Sequence, residues 1–281
     1  MPIAYDPSWS ATTRPGSDTD FFAIGGDFTK DDVLCAEMAR VAYASWDGFD
    51  RTKFDTYLSH VGFRTVQTVD VHGSEAFVAS DGKTTVVSFR GTQPSDPFDL
   101  FTDSRFLKSD WSTRGQVHNG FRASINEIWP QVEKAIEDSP GDRLLYTGHS
   151  LGAALATLAA SLRPPQLLVT LASPRVGDAE FGETVADIKH HRYVNCADVV
   201  PRVPTEGMGY VHTGVLHYIN ADGTIVTNPP QEHINSERRV ATDEYREFCS
   251  LLHGTIPSRE LADHAPINYC SAILGVRAAD S

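Results

Sequence analysis

Arg143-Leu144-Leu145-Tyr146-Thr147-Gly148-His149-Ser150-Leu151-Gly152, followed by Ala153-Ala154-Leu155-Ala156-Thr157-Leu158-Ala159-Ala160-Ser161-Leu162, decides how this chain is read. Its first five residues are short and mostly apolar, which predicts a buried strand. Its last ten are rich in Ala and Leu, which predicts a helix. Between them stands Gly-x-Ser-x-Gly. A strand that turns at once into a helix forces the middle serine into a strained backbone conformation and exposes its hydroxyl. The flanking glycines let strand and helix approach where a Cβ would clash. A plain Gly-Ser turn ahead of a core helix would show the same five letters without chemistry. The strand before and the helix after favour a presented nucleophile.

Outward from this turn, Leu167–Leu171 and His191–Asn195 read as further strands, with a short helix over 181–188 between them. Strands alternating with helices predict a parallel sheet and an α/β fold. Tyr210–Asn220 and Thr224–Thr227 flank Ala221-Asp222-Gly223 as a hairpin, and Asn235–Leu252 reads as a polar surface helix. Upstream, Phe121–Glu137 carries Ile125, Ile128, Trp129, Val132 and Ile136 on one helical face. Strands are expected over 65–71, 75–80 and 84–89, and a helix over 30–46. Residues 93–116 lack periodicity, which marks an irregular insertion of the kind that is commonly functional. Residues 1–30 read as an irregular arm. With 281 residues, 41% of them hydrophobic, the whole of 1–281 is expected to form a single domain.

The formal charge of −13, from 37 acidic and 24 basic residues, argues against nucleic acid and gives no pull toward anionic membranes. No run is long and apolar enough to insert stably in a bilayer, although transient contact with a lipid surface is compatible with the chain. The N-terminus has neither a basic start nor an apolar run, so the default expectation is cytoplasmic, with secretion as the alternative if a signal has been removed. Cys35, Cys196, Cys249 and Cys270 form no C-x-x-C pair, so no metal site is expected. Buried free thiols are the main reading, and a Cys35–Cys270 or Cys249–Cys270 bridge is the other. Oligomeric state is left open.

A serine hydroxyl needs a base to take its proton and an acid to orient that base. In the strand-turn-helix class the chain order is Ser, then acid, then His. The acid belongs just after a parallel strand, on the edge where the serine sits. Asp198 fits best. Asp178 and Asp187 fall in or near a helix, and Asp222 suits its turn for local reasons. Among the later histidines, His264 lies in a loop and is preferred, with His233 next. His212 and His217 read as strand residues, and His253 as a helix-end residue. The oxyanion donors are the backbone N–H of Leu151 and a group at Thr92, in the turn after the strand ending at Phe89. His149 is expected to pack or to position its neighbours.

Several segments in order resemble one family, the class 3 (fungal-type) lipases: Val87-Ser88-Phe89-Arg90-Gly91-Thr92, Val117-His118-Asn119-Gly120-Phe121, the Gly148–Ala156 turn, Ser173–Asp178, Asn195–Pro204, Tyr210–Gly214, and Asp263-His264 with Tyr269. The resemblance covers roughly residues 60–270. It implies an α/β-hydrolase fold, a mostly parallel central sheet flanked by helices, and a short lid at 93–102. It also implies Ser150, Asp198 and His264 as the triad, and Thr92 with Leu151 as the oxyanion hole. Phe98, Leu100 and Phe101 of the lid, with His149, are the substrate-contact candidates. Pro94 and Pro97 argue against a regular lid helix. Asp103 matches the acidic residue after family lids and reads as structural.

The function expected is hydrolysis of acylglycerols or similar lipid esters through an acyl-enzyme, with no cofactor. A phospholipase, galactolipase or feruloyl-type esterase with the same triad is the alternative. A non-catalytic scaffold is the remote one, since such proteins usually lose the nucleophile or the base.

Overall fold

Val86, Leu145 and Val169 point to one side of a sheet, and their neighbours Val87, Tyr146 and Leu168 point to the other. Both sides are buried, which is why these segments are nearly continuous apolar runs. The computed structural model describes residues 3–13, 15, 20–45, 51–91, 106–249 and 255–278. In chain order the elements are α1 (Trp9–Thr13), α2 (Phe21–Ile24), α3 (Asp31–Val41), α4 (Arg51–Ser59), β1 (Arg64–Val71), β2 (Ser74–Ser80), β3 (Thr84–Phe89), β4 (Lys108–Asp110) and β5 (Gln116–His118). They continue with α5 (Asn119–Glu137), β6 (Arg143–His149), α6 (Leu151–Leu162), β7 (Leu167–Leu171), α7 (Ala179–Thr184), β8 (His190–Asn195), β9 (Val215–Ile219), β10 (Ile225–Thr227), α8 (Gln231–Cys249), α9 (Arg259–Ala262) and α10 (Pro266–Ile273).

The main sheet runs β1-β2-β3-β6-β7-β8-β9-β10. Strands β3, β6, β7, β8 and β9 are mutually parallel, while β1, β2 and β10 are antiparallel additions at the two edges. On one face Leu34, Cys35, Met38 and Val41 of α3 pack with Tyr269 and Cys270 of α10 against the sheet. On the other, Ile125, Ile128 and Val132 of α5 and Leu155 and Leu158 of α6 do the same. Each such side chain contributes about 1.5–3 kcal/mol by leaving water. His118 caps α5 by accepting from the Phe121 N–H, and Asp178 caps α7 by accepting from the Phe181 N–H at 2.9 Å. These caps give a local physical reason for His and Asp in two of the quoted segments.

Three expectations are corrected, and the bridge alternative held open beside free thiols falls away. The arm 1–30 is not wholly irregular: α1 and α2 lie within it, and Asp20 caps α2 by accepting from the Ala23 N–H. The strand expected from Tyr210 starts only at Val215, after a bend at Gly214 with φ +77°. The irregular stretch 93–116 contains β4, which pairs antiparallel with β5. Cys35 and Cys270 are free buried thiols, so neither bridge forms; the Cys270 thiol instead donates to the Ala36 carbonyl at 3.2 Å. Helix α4 is an element that periodicity did not signal. The lid expected at 93–102, including Phe98, Leu100 and Phe101, lies outside the described residues, as do Thr92, Asp103 and His253.

Candidate active site

Because β3, β6 and β8 are parallel, their carboxyl ends share one edge of the sheet. Ser150 follows β6, Asp198 lies three residues after β8, and the Arg90-Gly91 turn follows β3. Ser150 has φ +59° and ψ −125°, a conformation a side chain adopts only when its surroundings impose it. They do so through backbone. The Ser150 N–H donates to the Leu171 carbonyl at 3.0 Å, and its own carbonyl accepts from the Ala153 N–H at 3.0 Å. A Cβ on Gly148 would run into the backbone of Gly152, and a Cβ on Gly152 into the carbonyl of Phe89. Both glycines are therefore required by close approach of β6, α6 and β3.

His264 sits in the link between α9 and α10. Its Nε2 is 3.0 Å from the Ser150 Oγ, and its Nδ1 is 3.0 and 3.1 Å from the two Asp198 oxygens. All three side chains are buried. The carboxylate can only accept, so Nδ1 carries the proton and Nε2 presents its lone pair to the serine. Asp198 accepts two more bonds, from the Tyr269 hydroxyl at 2.6 Å and the Val200 N–H at 2.9 Å. Tyr269 in turn accepts from the Asn195 N–H at 3.0 Å. Burial, and then the Asp198 charge, push the Tyr269 hydroxyl well above its ordinary pKa, so it remains a donor.

His149 has its ring nitrogens engaged away from the serine. The Tyr43 hydroxyl donates to Nδ1 at 2.8 Å, and Nε2–H donates to the His264 carbonyl at 2.8 Å. Burial, and then the neighbouring His264, hold its pKa well below the usual value, so the ring stays neutral. As a substrate-contact candidate His149 is corrected: it is a buried brace under the base. Tyr43 also bears on the turn after β3, since a Cβ on Gly91 would strike its hydroxyl and come within 2.7 Å of the His149 carbonyl.

The remaining candidates go elsewhere. His233 bonds Asn220 Oδ1 at 2.8 Å, His212 Nε2–H donates to the Pro201 carbonyl at 2.7 Å, and the His217 ring stacks on Tyr193. Asp222 bonds Thr224 within its hairpin. Among the described residues no group of three or more His, Cys, Asp or Glu is placed to hold a metal. The Leu151 N–H opens α6, where amides have no intrahelical acceptor. Sequence reasoning missed Tyr43 entirely, and it quoted Tyr269 without its role. Neither has a local signature, because each acts across more than seventy positions of chain.

Residues 86–208 match the family model described as lipase (class 3). Over that segment, which carries Ser150 and Asp198, the chain is similar to the class 3 lipases. A lipase of Rhizopus niveus is 35% identical over 199 residues, 65% of this chain and 47% of that protein. A secreted mono- and diacylglycerol lipase of Malassezia globosa is 32% identical over 202 residues, 63% of this chain and 64% of that protein. The chain thus spans about half the length of the Rhizopus relatives it matches. Lipase II from Rhizopus niveus superposes with a TM-score of 0.54 at 28% identity, covering 69% of this chain and 79% of that one. The structure of a triacylglycerol lipase whose catalytic centre is a serine protease triad superposes at 0.53 with 26% identity, over 67% of this chain and 77% of its own. The fold is the α/β-hydrolase fold, with a mostly parallel central sheet flanked by helices.

Proposed function

We propose that this chain is a serine carboxylic ester hydrolase acting on acylglycerols or similar lipid esters. The observation that carries the reading is the continuous relay Ser150 Oγ, His264 Nε2, His264 Nδ1, Asp198. His264 takes the Ser150 proton as Oγ attacks the ester carbonyl, and Asp198 stabilises the imidazolium that forms. The Leu151 N–H faces the developing oxyanion, with Thr92 as the second donor carried from the sequence pattern. His264 returns its proton to the leaving alcohol, leaving an acyl group on Ser150. Water deprotonated by the same imidazole then releases the acid and restores the serine. This route requires no cofactor.

Acylglycerols are favoured over other esters because the similar proteins include mono- and diacylglycerol lipases and a triacylglycerol lipase. The names of secreted relatives likewise favour export over the cytoplasmic default. Among the described residues no helix is long and apolar enough to cross a membrane. The test is hydrolysis of p-nitrophenyl esters from short to long acyl chains by wild type and Ser150→Ala. The expected result is activity in the wild type that falls at least about 10⁴-fold in the variant. Equal activity in both would remove Ser150 from the mechanism. A sharp preference for short acyl chains would replace lipase by esterase.

A further inference from the structure

The residue before His264 is tied to a segment from the start of the described structure. Residues 3–8 run beside the segment that carries it. The Ile3 N–H donates to the Val276 carbonyl at 2.7 Å, and the Ala278 N–H returns a bond to the Ile3 carbonyl at 2.7 Å. Asp6 and Asn268 exchange two bonds, at 2.9 and 2.8 Å, and the Ile256 N–H donates to the Pro7 carbonyl at 2.9 Å. In the middle of this strap the Tyr5 hydroxyl donates to Asp263 Oδ1 at 2.9 Å. Asp263 is the residue before His264 and is fully buried.

The Asp263 carboxylate joins the two loops that meet at the serine. Its Oδ2 accepts from the N–H of Ala197, the residue before Asp198, at 2.8 Å. Its backbone carbonyl accepts from the Asn195 side-chain amide at 2.9 Å. Its Oδ1 takes Arg259 Nε at 2.7 Å beside the Tyr5 bond, and the Arg259 guanidinium lies 4.3 Å from the centre of the Tyr5 ring. Every partner of the carboxylate is a donor, so the site needs two acceptor oxygens and a negative charge opposite Arg259. The two dipeptides Ala197-Asp198 and Asp263-His264 are thereby held in register one residue away from the acid–base contact.

We infer that Asp263, oriented by Tyr5 of the N-terminal strap, is a positioning residue that sets His264 against Asp198. The inference rests on the proposed serine hydrolase reading, in which a shift of about 1 Å in the base costs on the order of 100-fold in rate. It also gives residues 3–8, which precede the segment matched by the family model, a part in catalysis.

The experiment compares kcat and KM for p-nitrophenyl butyrate in wild type, Tyr5→Phe, Asp263→Asn and Ser150→Ala, with melting curves for each. Tyr5→Phe keeps the ring over Arg259 and removes only the hydroxyl. The expected result is a fall in kcat of about 3- to 10-fold, with KM within about twofold of wild type, at temperatures where the variant is folded. Asp263→Asn puts an amide NH₂ against a donor, and its kcat is expected to fall further. Should Asp263→Asn fail to fold, Tyr5→Phe decides alone. A folded Tyr5→Phe with wild-type kcat, lowered only in melting temperature, would make the contact merely structural and overturn the inference. Hydrolysis that survives Ser150→Ala would defeat the proposed function first, and the inference with it.

Discussion

In the proposed mechanism the nucleophile and the base are held in place by opposite means. Ser150 is set by backbone: an imposed φ of +59°, amide bonds to Leu171 and within the first turn of α6, and two glycines at close approach. His264 and Asp198 are set by buried side chains close to each in sequence that bond across to the other's segment: Tyr269, Asn195 and Asp263, with Tyr5 behind them. A backbone device occupies a few consecutive residues and tolerates almost no change in them. A side-chain network is spread out, and each member contributes a part. The nucleophile side should therefore fail by not folding, and the base side by losing rate in steps.

The largest effect that would test this contrast is Gly152→Ala. The added methyl meets the Phe89 carbonyl inside the packed junction of β3 and α6, so a loss of at least about 3 kcal/mol in stability is expected. Chemical denaturation measures it, and a wild-type midpoint would remove the backbone half of the comparison. Tyr269→Phe comes next. It removes a donor from Asp198 and leaves the buried Asn195 N–H without its acceptor, which is expected to cost about 1–3 kcal/mol. A fall in kcat of about tenfold is expected alongside, as Asp198 loses one of its charge-assisted bonds. Tyr43→Phe is the smallest. It strips the bond to His149 Nδ1, one step back from the base, at about 1 kcal/mol and within about threefold in kcat. If Tyr43→Phe proved more damaging to rate than Tyr269→Phe, the elbow side would also depend on side-chain positioning, and the contrast would blur.

The same contrast explains what could be read from the chain before its structure. The turn at Ser150, the strands β2, β3, β6, β7 and β8 and the helices α3, α5 and α6 were legible because their causes are local: alternation, helical spacing and paired glycines. Asp198 and His264 were legible through chain order, a topological consequence of the same turn. Tyr43 and Tyr5 carried no signal, and Asp263 stood in a matched segment without a role, since a buried hydroxyl or carboxylate looks like a surface one until its distant partner is known. Helix α4 was missed because its residues Arg51–Ser59 show only a weak apolar stripe, with Phe54 and Leu58 buried among polar neighbours. His149 was legible in part: its position inside the elbow pointed to packing, while the bond to the His264 carbonyl depends on a residue 115 positions away.

The most direct test of the account is covalent labelling by a fluorophosphonate, followed by mass mapping of the adduct in wild type and His264→Ala. An alkylphosphonyl group on Ser150 in the wild type, at a rate at least about 100-fold above the variant, is the predicted result. No adduct on Ser150, or equal labelling without His264, would contradict the claim that the imidazole 3.0 Å away activates this serine.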